Sequence, residues 1–273
     1  MVGMMSGANG DKMRKLLTWL SQKRPAPEQA APRRRIDMGD NPPAYPIYAI
    51  GDIHGCMDQL QRAEEKIATD IEVSGQSGPV VLLGDYVDRG SASSQVIEHL
   101  VNPSALGLKR VPLCGNHDDI FGKFIEEPDL HLEWLALGGE QTLMSYGIDI
   151  HHVGLRQRGR NSKLKHVLAE AIPLSHKQFL ENLPIHLKIG QYLFVHAGIR
   201  PEIPLQRQTD EDMMWIREPF LKEGPKLPLM VIHGHTPQPM PDLGPHRIGI
   251  DTGAFYTGKL TVLKIDGGQT RFL

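Results

Sequence analysis

Five short polar stretches hold the residue types from which a divalent-metal site is built. They are Gly51-Asp52-Ile53-His54-Gly55, Gly84-Asp85-Tyr86-Val87-Asp88-Arg89-Gly90, Gly115-Asn116-His117-Asp118, His196-Ala197-Gly198 and Gly234-His235-Thr236. Carboxylate and amide oxygens and imidazole nitrogens are the donors that divalent transition ions accept. Two such ions held about 3.5–4 Å apart need a shared ligand, usually a carboxylate, and together they activate water for hydrolysis. The chain reads as a protein wrapped around a two-metal site.

Each stretch begins where an apolar run ends: Pro46–Ile50, Val80–Leu83, Arg110–Cys114, Tyr192–Val195 and Leu229–Ile232. Short runs of this kind read as buried strands, so the polar clusters fall at strand ends, where ligands gather in α/β proteins. Met57, Leu60, Ile67 and Ile71 recur at helical spacing and return the chain to the next strand, a β-α-β unit. Ser93 or Ser94 is placed to cap a helix carrying Val96, Ile97, Leu100 and Val101. Further helices are expected around Ile120–Ile125, Leu132–Leu137 and Glu140–Tyr146, with another starting at Ser175. The last third looks antiparallel, with two-residue hairpins at Gly190-Gln191 and Gly267-Gly268.

At 273 residues, 40% hydrophobic and 23% charged, the chain has an ordinary globular composition. Its net charge of −2 argues against a polyanion-binding protein, and the basic residues lack interleaved stacking aromatics. No apolar run approaches the ~20 residues of a membrane helix, and Met1–Leu20 lacks a secretory h-region, so a cytoplasmic location is expected. Cys56 and Cys114 cannot make a disulfide framework and are expected to be packed thiols beside the site. Residues 1–43 carry Arg33-Arg34-Arg35 and prolines 25, 27 and 32, and read as a basic, mobile extension preceding a catalytic domain over 44–273. Within the extension Met13, Leu16, Leu17 and Leu20 share a helical face that suits contact with a partner or an acidic membrane surface. The stretch from Arg156 to Lys165 is the most basic part of the domain and would attract phosphorylated substrates if it overhangs the site.

In order and wording the five stretches resemble the phosphoprotein phosphatase family of metal-dependent serine/threonine phosphatases, from about Tyr48 to Lys264. The resemblance implies an α/β calcineurin-like metallophosphoesterase fold: two packed mixed β-sheets flanked by helices. It also implies two divalent ions, Mn²⁺ first with Fe or Zn as alternatives. Asp52 and His54 would hold the first, Asp85 would bridge, and Asn116, His196 and His235 would complete the second. His117 would be the general acid with Asp88 orienting it, and Arg89 and Arg217 would bind the phosphoryl group, to which guanidinium forks are matched. Asp118 is expected to be structural, and Asp251 to support the ligands from behind.

Three functions compete. The first is hydrolysis of phosphoserine and phosphothreonine in proteins. The second is hydrolysis of dinucleoside polyphosphates or another small phosphoester, since bacterial dinucleoside tetraphosphatases share Gly-Asn-His-Asp, His-Ala-Gly and Asp-Thr-Gly. Those enzymes typically have Gln at the position of His54 and Ala at that of Asp88, which places the first reading ahead. The third, a non-catalytic scaffold, requires a lost ligand or acid, and none is lost. Pro237, where broader metallophosphoesterases carry a further histidine, and Thr-Gly-Ala-Phe-Tyr in place of the eukaryotic C-terminal loop mark a compact bacterial-type member.

Overall fold

A computed structural model describes residues 31–150 and 161–273. The chain enters the fold at β1 (Arg35–Asp37) and continues through β2 (Ile47–Ile50), β3 (Pro79–Leu82), β4 (Lys109–Pro112), β5 (His186–Ile189) and β6 (Tyr192–Val195). It ends through β7 (Met230–His233), β8 (Asp242–Gly244), β9 (Arg247–Gly249), β10 (Val262–Asp266) and β11 (Gln269–Phe272). These form a five-stranded sheet ordered β11-β10-β2-β3-β4 and a six-stranded sheet ordered β1-β5-β6-β7-β9-β8.

Period-two alternation in the strands explains how the sheets pack. Ile47 and Ala49 join Val81, Leu187, Phe194, Ile232, Ile248 and Leu263 in one buried cluster drawn from both sheets. Their neighbours Tyr48 and Ile50 join Val80, Leu82 and the helical residues Leu60, Ala63, Ile67, Val96 and Ile97 in the other. Each sheet therefore has one face against its partner, and the first sheet turns its other face to the helices Met57–Ser74 and Ser93–Val101. The first of these ends at Gly75 in a left-handed conformation (φ 69°), its N–H bonded to Ile71 O, a stop that glycine makes without steric cost.

Within each sheet the strands that lead into the polar stretches are parallel, β2, β3 and β4 in one and β6 and β7 in the other, where β9, which leads to Asp251, runs parallel to β7 as well. The last third, expected to be antiparallel, is therefore mixed: β5–β6, β8–β9, β10–β11 and β10–β2 are antiparallel, β6–β7 and β7–β9 parallel. Both hairpins are present, β5–β6 with Ile189 opposite Tyr192 and β10–β11 with Asp266 opposite Gln269. However, the long connection from β6 to β7 holds the short helices Leu205–Arg207, Asp210–Trp215 and Phe220–Glu223 and works as a parallel crossover.

The compact unit begins at Arg33, ahead of the expected start at 44. Arg35–Asp37 pairs in parallel with His186–Lys188 as an edge strand. The Arg33 guanidinium donates to Asp119 Oδ1 at 3.0 Å and to Leu180 O at 2.9 Å, and its backbone N–H to Asp210 Oδ2 at 2.6 Å. Arginines that read as a solvated basic run are thus staples to the carboxylates and carbonyls of three separate segments. The amphipathic stretch Met13–Leu20 and the basic residues 156–160 lie outside the described residues; 161–165 open the helix Asn161–Ala171.

Candidate metal centre

The loops that follow the strands are short and tightly turned, which brings side chains from six strand ends to one place. Five site residues have left-handed backbone: His54 (φ 46°), Asp85 (φ 54°), Asp88 (φ 73°), Arg89 (φ 68°) and His235 (φ 67°). Non-glycine residues in this region cost on the order of 1–3 kcal/mol each and cluster at functional sites. The glycines of Gly115-Asn116 and Gly234-His235 have a different reason. A Cβ on Gly115 would run into Asp85, and one on Gly234 into Asp52 Oδ1, so only glycine lets the backbone lie against these carboxylates.

Asp85 is the shared member of two donor groups, His54–Asp85–His117 and Asp85–His196–His235, in each of which the donor atoms lie within 4.8 Å of one another. Its Oδ2 is 3.5 Å from His54 Nε2, and its Oδ1 is 3.4 Å from His196 Nε2. Asn116 Oδ1 lies 2.9 Å from His196 Nε2 and 3.0 Å from His235 Nδ1. Asp52 accepts the N–H of His235 through Oδ2 at 3.0 Å.

Whether these residues fit metal ions is decided by their protons. Carbonyl oxygens only accept, so His54 Nδ1 donates to Val87 O (2.8 Å) and His196 Nδ1 donates to Leu83 O (2.9 Å). Both Nε2 atoms are then unprotonated acceptors: that of His196 faces the oxygens of Asp85 and Asn116, and that of His54 faces Asp85 Oδ2 and also takes a hydrogen bond from Arg89. Among the described residues, Asp52 Oδ1 and His235 Nε2 are buried with no hydrogen-bond partner. Burial pushes His54 down to about 3 and His235 to about 2, so both imidazoles are neutral at neutral pH. Burial, then Asp251 and Asp85, pushes the Asp52 carboxyl well above its ordinary range. Lone pairs converging in buried space, with carboxylates crowded together, are what a bound dication resolves. The donor set fits divalent ions.

A second unit lies beside it. His117 Nδ1 donates to Asp88 Oδ2 at 2.5 Å. Asp88 is itself held by Trp134 Nε1 on Oδ2 (2.7 Å) and Thr142 Oγ1 on Oδ1 (2.7 Å). Burial works against a charge on His117, but the Asp85 and Asp88 carboxylates overcome it and hold the imidazole above its ordinary value. Ser93, expected as a helix cap, accepts the Asp88 N–H at 3.1 Å instead, and the helix starts from Ala92 without a side-chain cap. Arg89 forks between the two imidazoles, Nη1 donating to His54 Nε2 (2.9 Å) and Nη2 to His117 Nε2 (3.0 Å).

Asp118 is structural in geometry: it accepts the N–H groups of Asp85 (2.7 Å), Gly115 (3.0 Å) and Tyr86 (2.9 Å), joining two site loops. Arg217 is exposed, and after burial and His196 its charge helps depress the pKa of His235. Asp251 accepts the Gly253 N–H at 2.9 Å, and burial pushes its carboxyl up to about 6. Burial also raises the Cys56 thiol to about 11 and holds the Cys114 thiol up, which makes both poor thiolates. Trp134 and Thr142 escaped the sequence reading, because a helical apolar pattern gives no sign that an indole N–H will meet a carboxylate.

Two sheets, strand-end loops and a carboxylate shared between two histidine-rich donor groups define a metallophosphoesterase. The chain belongs to the calcineurin-like phosphoesterase family, whose model matches residues 45–262. It is similar to the asymmetrical bis(5'-nucleosyl)-tetraphosphatase PrpE of Anoxybacillus flavithermus, 24% identical over 242 residues covering 81% of this chain and 91% of that protein. The protein of the same name from Bacillus thuringiensis is 27% identical over 252 residues, with the same coverage. Among solved structures, a protein proposed to be a diadenosine tetraphosphatase matches at a TM-score of 0.59 and 21% identity, over 88% of this chain and 97% of that one, a likeness of fold.

Proposed function

We propose that this chain is a two-metal hydrolase of dinucleoside polyphosphates. The observation that carries the hydrolytic reading is Asp85 standing between the two donor groups, and the substrate class is supported by relatives aligned over 81% of the chain. Asp52, His54, Asp85, Asn116, His196 and His235 would hold the ions, with Mn²⁺ the proposed pair. Bound there, two divalent ions supply an activated water and neutralise charge at phosphorus.

The chain's own side chains do the rest. Phosphoryl oxygens compete with the imidazole nitrogens for the Arg89 fork, which matches phosphate in geometry and charge. Arg217 is the second cation, offered from the exposed loop beside His235. Asp88 keeps His117 in one tautomer, with Nδ1 protonated and Nε2 directed to the reacting side. Cleavage inside a polyphosphate releases a phosphate that is stable as an anion and asks little of a proton donor.

The His117–Asp88 pair favours a second reading, hydrolysis of phosphoserine and phosphothreonine, whose alkoxide leaving groups need a proton. That reading stood first on the strength of His54 and Asp88; the relatives support the polyphosphate reading better. Turnover of the Mn²⁺-loaded protein on diadenosine tetraphosphate, phosphoserine peptides and phosphothreonine peptides separates the two. The expected result is the highest kcat/KM on diadenosine tetraphosphate. A higher value on either peptide would reverse the order.

A further inference from the structure

Two exposed aromatic side chains touch the candidate centre from different sides. Phe255, 40% exposed, has its ring centroid 5.7 Å from that of His54 at 80°, and the Arg89 guanidinium carbon lies 5.1 Å from the same centroid. Trp215, 38% exposed, has its ring 6.0 Å from that of His235 at 81°. His54 and His235 belong to different donor groups, joined only through Asp85. Each flank also brings an arginine, in contact with the ring on one side and close in sequence on the other. Phe255 accompanies Arg89 and Trp215 is followed two positions later by Arg217.

Large apolar rings are usually withdrawn from water, and these two are held out by rigid local structure. Phe255 sits in the one-turn helix Ala254–Thr257, which begins from Gly253 in left-handed conformation (φ 65°). Glycine favours this turn because the left-handed backbone at position 253 strains any residue with a Cβ. Thr252 Oγ1 donates to Lys259 O at 2.9 Å, and Thr257 Oγ1 donates to Thr252 O at 2.8 Å, tying both ends of the turn together. Trp215 ends the helix Asp210–Trp215, which is capped by Thr209 accepting the Asp212 N–H. Met213 O of that helix accepts the Ala197 N–H at 2.8 Å, one residue beyond His196. The backbone that carries each ring is therefore anchored next to the site.

A phosphate chain lying on the arginines and the metal donors would leave groups at its two ends against these rings. We propose that Phe255 and Trp215 are nucleobase platforms, each stacking one base of a dinucleoside polyphosphate and so selecting nucleotide-ended substrates over bare phosphates. The inference rests on the polyphosphate reading and deepens it. An inorganic polyphosphate has no flat group to lay on either face. Stacking of a base on an aromatic side chain is worth about 5- to 100-fold in binding.

The test uses the intact chain loaded with Mn²⁺, with Phe255→Leu and Trp215→Leu to keep apolar bulk without a ring, and Phe255→Tyr and Trp215→Phe to keep one. Each leucine variant should raise KM for diadenosine tetraphosphate by about 5- to 100-fold, with a much smaller change for inorganic tripolyphosphate. The ring-bearing variants should recover most of the loss. Equal losses on both substrates, or no loss on diadenosine tetraphosphate, would overturn the platforms. Calorimetric binding of ADP to the same variants keeps the two claims apart. A wild-type protein that does not hydrolyse diadenosine tetraphosphate, yet binds ADP through these rings, refutes the polyphosphate reading and leaves the platforms standing. ADP binding indifferent to both rings refutes the platforms whatever the turnover.

Discussion

His117 Nδ1 lies 2.5 Å from Asp88 Oδ2, and the carboxylate is locked in place by Trp134 and Thr142. This pair reaches the centre without belonging to the set of backbone-anchored imidazoles, His54 and His196, whose Nδ1 atoms donate to carbonyls. Under the proposed function this difference makes His117 the proton-handling histidine and His54 and His196 ligands, which has consequences that can be measured.

His117→Asn and Asp88→Asn should each slow hydrolysis of phosphoserine peptides by on the order of 10²–10⁴-fold, the range of general acid catalysis. On diadenosine tetraphosphate, whose leaving group is stable as an anion, the loss should be smaller. The double variant should cost little more than either single one, because the two act as a unit. Steady-state kinetics on both substrates checks this. Equal losses on good and poor leaving groups would assign His117 to another task.

Asp118 accepts three buried backbone N–H groups, from Asp85, Gly115 and Tyr86. Asp118→Ala removes their acceptor in one step, and each buried donor left unsatisfied costs about 1–3 kcal/mol. Urea unfolding should show a loss of about 3 kcal/mol or more. Wild-type stability would mean that the two loops find other acceptors.

Much of this was legible in the amino-acid order. Apolar runs of four or five residues ending in Gly-Asp, Gly-Asn or Gly-His mark both the strands and the loops, since glycine is needed where backbone lies against a carboxylate, at Gly115 and Gly234, or against other backbone, at Gly51 and Gly84. What was not legible depends on contacts distant in sequence. Arg33 reads as part of a basic tail, because nothing local shows that Asp119, Leu180 and Asp210 will surround it. The parallel pairing of β6 and β7 was not legible because the intervening helices are too short to register a period. Trp134 and Trp215 look alike in sequence, yet one is sealed against Asp88 and the other is exposed beside His235.

His186, on β5, is 2% exposed, and burial followed by the Arg35 charge pushes it down to about 4. An unfolded histidine titrates near 6.5, so below that pH the unfolded chain takes up a proton that the folded chain refuses. Stability contributed by the neutral buried ring is full above pH ~6.5 and is lost as the pH falls towards ~4, by up to about 3 kcal/mol. His186→Leu should reduce the fall in unfolding free energy between pH 7 and 4.5. An unchanged pH dependence would show that His186 is not part of it.

Asp85 is the one carboxylate common to both donor groups, so metal content and catalysis should stand or fall with it. The most direct measurement is a Mn²⁺ titration of exhaustively chelated wild-type and Asp85→Asn protein, with bound metal and diadenosine tetraphosphate hydrolysis read on the same samples. Wild type should be inactive after chelation and regain turnover as two equivalents bind, whereas Asp85→Asn should lose metal and turnover together. Full turnover in the chelated wild type, or two bound ions and wild-type turnover in Asp85→Asn, would contradict it.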